Sequence, residues 1–306
     1  MTTTFDNKVN SILTTNGLDF TIEKRPLLTY DSQLKMYTET PYFGLVNGTT
    51  NECINTVKKG YHISQNREIV ELVLKGIEPF NQNGENLKVT KAGSINGGRK
   101  VFLQLAIEGN SHINGDKITQ YITILDSNDG SSSLSIGIGD LTASCSNQFW
   151  KFYKESEAKF RHSASIERKM LEIPYLIQSA LSQSIKQIEL YRTFESTKIS
   201  RQLADEMVKH LLGVDRQITS LDDYNKVSTR TINIMDKLYD NIDHQLNDKG
   251  LNLWGLHSGL TRYTTHELTA PKRNNGKIES MLSGSAYKLN QSSLEFCAKK
   301  LNLQLS

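Results

Sequence analysis

The sequence predicts an α+β fold, and three features carry that expectation. Residues 99–139 alternate apolar and polar side chains between turn signals, as strands do. From about residue 147 the apolar period becomes helical, and only 5 Pro and 20 Gly interrupt the 306 residues. A run of strands followed by a run of helices segregates the two types, which is the α+β pattern. The expected architecture is an antiparallel β-meander followed by a helix, a β-β-β-α core, with a mostly helical C-terminal half. The expected division is an α+β core over 1–165 and a helical region over 166–306 packed on it or extending it.

Short strands are expected in the first sixty residues. Phe20 and Ile22 alternate with Thr21 and Glu23 up to Pro26, and Tyr42–Val46 ends at the turn-forming Asn47-Gly48. Ile69, Leu72, Val73 and Ile77 share one face of a helix that begins at Asn66 and ends before Pro79. Val101, Leu103, Leu105 and Ile107 mark the first strand of the meander (99–108), and Asn110–Gly115 forms a turn cluster. Ile118, Ile122 and Ile124 mark the second strand (117–126), and Leu134, Ile136 and Ile138 the third (131–139). Asp129-Gly130 sets the hairpin between these two, because it accepts positive φ. Gly137 and Gly139 leave one face of the third strand bare, so another backbone should approach there.

Phe149, Phe152, Tyr153 and Phe160 fall on one face of a helix starting at Asn147, with Lys151, Lys154 and Arg161 on another. A longer amphipathic helix through Ile166–Ile188 should kink at Pro174. Residues 198–213 and 226–246 also read as helices.

Composition excludes several classes. No apolar run approaches the ~18 residues of a membrane span, and Met1–Asp6 lacks the basic and apolar regions of a signal peptide. The expectation is a protein of the bacterial cytoplasm without a membrane partner. Cys53, Cys145 and Cys297 are too few and too far apart for a disulfide framework, so free thiols are expected, with Cys145 buried. The net charge of +3 is unevenly spread. Residues 1–150 hold 13 Lys/Arg against 15 Asp/Glu, whereas 151–306 hold 23 against 18. A polyanion-binding face is therefore compatible with the second half.

The run from Gln148 to His162 interleaves aromatics and bases, which suits single-stranded nucleic acid. Gly93–Gly98 precedes a strand rather than a helix, so neither a phosphate loop nor a dinucleotide fingerprint is present, and no cofactor is expected. The histidines lack the short spacing of zinc ligands, and no metal site is expected. Near the C-terminus, Trp254 should anchor a segment in which Arg262, Tyr263 and His266 are candidates for a polar role. The Trp254 NH should seek an acceptor.

The sequence resembles the phage/plasmid-like proteins of domain-of-unknown-function family 932 over nearly its whole length. The resemblance rests on Gly17–Ile22, Tyr61–Asn66, Asp129-Gly130-Ser131, Cys145-Ser146-Asn147, Arg161-His162-Ser163 and Trp254–His266. It departs from the pattern at Phe20, where such proteins often carry Trp, and at Ala143, where Arg is common. The family setting implies replication, recombination or host takeover. The β-β-β-α order is similar to the core of Rad-type single-strand annealing proteins, an analogy at the level of fold.

The expected function is ATP-independent binding and annealing of single-stranded DNA by a homo-oligomer, a ring or filament. Lys151, Lys154, Arg161, Arg168 and Lys169, with Arg99 and Lys100 at the meander edge, would neutralise phosphates. Trp150 or Tyr121 would stack bases, and His162 and Arg262 complete the candidate nucleic-acid-binding set. The alternatives are a metal-dependent nuclease built from His162, His257, His266 and Asp129, and a phage protein that binds a host factor.

Overall fold

A computed structural model gives the fold and describes residues 2–131, 133–142, 148–152, 159–160, 162, 171–218, 220–273 and 275–303. It is mixed α+β, with the helices concentrated in the C-terminal half. Helix α1 (Thr2–Thr15), where strands were expected, precedes a three-stranded antiparallel sheet of β1 (Ile22–Asp31), β2 (Met36–Asn47) and β3 (Cys53–Lys58). Pro26 does not end β1. It sits in an edge strand, where a missing N–H need cost no ladder bond. Helix α2 (Asn66–Gln82) holds this sheet by its first turn. The Gln65 amide exchanges two hydrogen bonds with the backbone of Ile22 (3.1 and 2.9 Å), and Asn66 Nδ2 donates to the carbonyls of Leu18 and Phe20. Pro79 lies within α2 rather than beyond it.

The expected meander is present and larger than expected. Strands β4 (Lys88–Ile95), β5 (Lys100–Ile113), β6 (Asp116–Ser127), β7 (Leu134–Thr142) and β8 (Gln148–Phe152) lie side by side in order, and β9 (Lys159–Phe160) also pairs β7. Leu103 and Leu105 stand opposite Ile124 and Ile122, which stand opposite Ile136 and Ile138. Strand β5 passes through the Asn110 region by a register shift and turns at Asn114-Gly115 instead. Asp129 and Gly130 occupy the β6–β7 turn, with Gly130 at φ +72°.

The helix expected from Asn147 is not formed over the described residues 148–152 and 159–160. Residues 148–152 are a strand, with Trp150 opposite Gly139 and Phe152 opposite Gly137. The aromatic spacing fits either period over so short a stretch. Pairing with β7 satisfies the backbone, and aromatic side chains favour strands. Among the described residues, the first helix after the meander is α3 (Ile173–Ser196), with Pro174 in its first turn, where proline starts rather than kinks a helix.

Helix α3 is followed by α4 (Arg201–Leu212), a 3₁₀ turn (Leu221–Lys226), α5 (Thr229–Lys249), α6 (Leu253–His266), α7 (Gly276–Ser283) and α8 (Ser285–Lys300). One face of the large sheet, bearing Leu103, Ile122, Ile124 and Ile136, packs on α2 and the first half of α3. Phe102 and Leu125 on the other face pack on Met281, Leu282 and Ala286 of α7 and α8. A helical core joins the second half of α3 to α4, α5, α6 and α8, and takes in Ile113 and Ile118 from the tip of the β5–β6 hairpin. The expected boundary at 165 lies outside the described residues. No helix among the described residues is long and apolar enough to cross a membrane.

Candidate nucleic-acid interface

Bases gather where the β4–β5 hairpin meets α7. Residues 88–100 carry Lys88, Lys91, Arg99 and Lys100 with no acid, and residues 271–288 carry Lys272, Arg273, Lys277 and Lys288 with Glu279 alone. The fold docks these two segments on each other. Asn275, in left-handed backbone at the head of α7, donates from Nδ2 to the Ser94 carbonyl of β4 at 2.7 Å. Lys100 Nζ reaches Glu279 Oε1 at 3.5 Å and Ser283 Oγ at 3.1 Å. Arg273 grips Glu279 Oε2 through Nε (2.8 Å) and Nη2 (2.5 Å). Glu279 is thus flanked by two cations, while Lys91, Lys272 and Lys277 are exposed to solvent. The two segments hold eight bases against one acid. Glu52, whose carboxylate lies against Gly97 of the β4–β5 turn, and Asp129, which feels the charge of Lys100, offset part of that excess, and the edge keeps a local positive field. Tyr121, half-buried, packs on the Phe102 and Leu125 cluster under the same face, and its burial pushes the phenol pKa up.

The other expected contacts are distributed differently. Arg99 is half-exposed in the β4–β5 turn. Lys100 is buried and committed to Glu279, so it organises the patch rather than projecting from it. Arg262 donates to Asn241 Oδ1 and lies 4.0 Å from Glu267, within the helical half. Trp150 and Lys151 belong to β8, and Lys154, Arg161, Arg168 and Lys169 lie outside the described residues.

His162 belongs to a second, buried cluster. Its Nε2 lies 3.0 Å from Asp126 Oδ1 without pointing along that line, so the contact is electrostatic rather than an aligned hydrogen bond. Its Nδ1 faces the His62 carbonyl at 3.1 Å. Burial opposes the charged ring, but a carboxylate at one nitrogen and a carbonyl at the other outweigh it and hold the His162 pKa above its ordinary value. Ser64 Oγ donates to Asp126 Oδ2 at 2.7 Å, and the Tyr61 ring stacks on His162 at 4.9 Å. Burial, then the charges of Asp126 and Asp129, push the Tyr61 phenol up. The Tyr61–Asn66, Asp129–Ser131 and His162 segments singled out in the sequence therefore meet at one end of β6.

The nuclease set is not brought together. His257 is buried in the helical core against Tyr191 and Trp254, and burial depresses its pKa to about 4. His266 ends α6, and among the described residues no three His, Cys, Asp or Glu side chains converge to hold a metal ion. Trp254 anchors α6 against Tyr191 at 4.8 Å, but its Nε1 has no acceptor among the described residues. Cys53 (exposed) and Cys297 (buried) are free thiols, and burial raises Cys297 to about 12. Cys145 lies outside the described residues.

The profile of a domain of unknown function, DUF932, matches residues 53–285. The chain belongs to the DUF932 family. No curated protein and no solved structure matches it significantly. The matched span of this DUF932 protein holds both docked basic segments up to Ser285 and the whole Tyr61–Asp126–His162 cluster, and it leaves α1, β1 and β2 outside. Sequence reading missed Lys88, Lys91, Lys272, Arg273, Lys277 and Lys288. An acid-free stretch at 88–100 and the basic run Pro271–Lys277 were legible signals, whereas their docking through Asn275 was not.

Proposed function

We propose that this DUF932 protein binds single-stranded DNA and anneals complementary strands without ATP. The phage or plasmid setting, the bacterial cytoplasm and the kinship with Rad-type annealing proteins are parts of the same proposal. One observation carries it: the fold joins two basic segments, eight bases against one acid, along an edge strand and a helix start. Such a surface neutralises phosphates, and annealing requires no covalent step once repulsion between strands is lowered.

The test is anisotropy of a labelled oligonucleotide across a salt series, with the wild type and a Lys91→Ala/Lys272→Ala/Lys277→Ala variant. At about 0.7 per phosphate contact on single strands, losing three contacts lowers the salt slope by about two. An unchanged slope would sink the proposal. Magnesium-dependent cleavage of the oligonucleotide would favour the nuclease reading instead.

A further inference from the structure

Among the described residues, most of the large apolar side chains left in solvent sit on one feature. Beyond Pro26 and Pro41, β1 and β2 continue as a two-stranded ribbon, because β3 pairs β2 only from Tyr42 onward. The ribbon exposes Leu28 (51%), Tyr30 (54%), Leu34 (69%), Met36 (57%) and Tyr37 (69%), with Tyr42 (44%) at its base. Tyr30 and Tyr37 face each other across the strands at 4.9 Å. Both long edges of the ribbon are unpaired among the described strands. A lone two-stranded ribbon is marginal in water, and free apolar edges invite a further strand.

We propose that this ribbon is a self-association arm whose occupant is the ribbon of a second copy of the chain. Three observations select that occupant. Residues 22–42 hold Lys24, Arg25 and Lys35 against Glu23, Asp31 and Glu39, so the ribbon has no net charge and, unlike the β4–α7 edge, offers nothing to a polyanion. Leu28, Tyr30 and Tyr37 share one face of the ribbon and Met36 lies on the other. A second ribbon laid along the β1 edge therefore meets both faces, whose exposed side chains present roughly 700 Å² in all, against the ~800 Å² per partner of a standard interface. Arg25 and Asp31 are also equidistant from Leu28. A two-fold axis near Leu28 sets each Arg25 level with the Asp31 of the other copy, as an isologous contact requires. In the single chain Arg25 turns to Glu23 and Asn51, both exposed and readily exchanged.

The inference does not rest on the single-strand reading. Size-exclusion chromatography with light scattering tests it at micromolar chain concentration. The wild type should have twice the chain mass of 34.6 kDa. Leu28→Ser/Tyr37→Ser should be monomeric with an unchanged circular-dichroism spectrum, because both residues are exposed. Arg25→Glu or Asp31→Arg alone should weaken the dimer at least tenfold, and the two together should restore it. A monomeric wild type, a dimer that survives Leu28→Ser/Tyr37→Ser, or a charge swap that restores nothing overturns the proposal. Oligonucleotide binding by the monomeric variant, with its salt slope intact, keeps this outcome separate from that of the basic patch.

Discussion

Two buried carboxylates solve the same desolvation problem in opposite ways. Asp126 has His162, whose pKa is held above its ordinary value, and a hydroxyl donor, Ser64. Asp140 of β7 has neither a cation nor a partner for Oδ1 among the described residues. Its Oδ2 accepts from Tyr191 Oη at 2.6 Å, and Gln187 Nε2 lies 3.5 Å away. Burial therefore dominates and raises Asp140 to about 6, against the pull of the Tyr191, Gln120 and Gln187 hydrogen bonds. Asp126→Asn removes the counter-charge of the protonated His162 ring and should cost about 3 kcal/mol below about pH 6.5, where the ring is charged in both states, read from urea midpoints. In the wild type the raised His162 pKa contributes fully below about pH 6.5 and is lost as pH climbs through the raised value. The gap between wild type and variant should therefore narrow in alkali; a constant gap would contradict the charged pair. Asp140 holds a proton in the folded chain that the unfolded chain has already released, so stability should fall as pH rises from about 4 through 6. Asp140→Asn keeps an acceptor for Tyr191 and should abolish that fall, leaving the variant more stable than wild type at pH 7. A wild-type profile that is level across this window would refute the assignment.

The segment around Trp254 shows what a whole helix needs from small residues. A Cβ at Gly259 would lie 2.5 Å from the Ile242 Cα, and one at Gly255 would lie 2.7 Å from the Gly250 carbonyl oxygen. The two glycines, one turn apart, let α6 lie against the backbone of α5. Gly259→Ala should cost about 3 kcal/mol, because neither backbone can give way. Gly213→Ala, in the left-handed cap of α4 with open space around it, should cost only about 1 kcal/mol. Equal losses in the two variants, measured by chemical denaturation, would mean that the helix crossing is looser than described.

At the scale of the molecule, α3 is the coupling element. Its Ile173, Ile177 and Ala180 belong to the sheet core, and its Ile188, Tyr191 and Phe194 to the helical core. The tip of the β5–β6 hairpin is fastened to the end of α5, where Lys249 pairs with Asp116 and the Lys249 carbonyl accepts from Asn114 Nδ2. Helices α7 and α8 return to the open face of the sheet. Sheet and helices should therefore unfold in one transition. Native-state hydrogen exchange should give amides of β6 and of α6 the same limiting free energy, and a clear difference between them would show two separate units.

Period, turn chemistry and length were enough to determine the meander, its Asp129-Gly130 hairpin, α2 and the helical second half. Each depends on side chains a few residues apart, and burial of one face enforces the pattern. That logic fails where a segment is short and its partner distant. Gln148–Phe152 fits a helix and a strand equally, and the free edge of β7 decided between them. Pro26 argues against a central strand, but only the sheet order shows that β1 is an edge. The site divides the same way. Clusters of bases at 88–100 and 271–288 are written in the chain, but their union depends on Asn275 meeting Ser94 across 181 positions. His162 reads as one more base in a basic run, yet the fold places it against Asp126 and the His62 carbonyl, away from any ligand. The charge of a side chain is local information, whereas its availability to a ligand is set by the neighbours that tertiary packing brings to it.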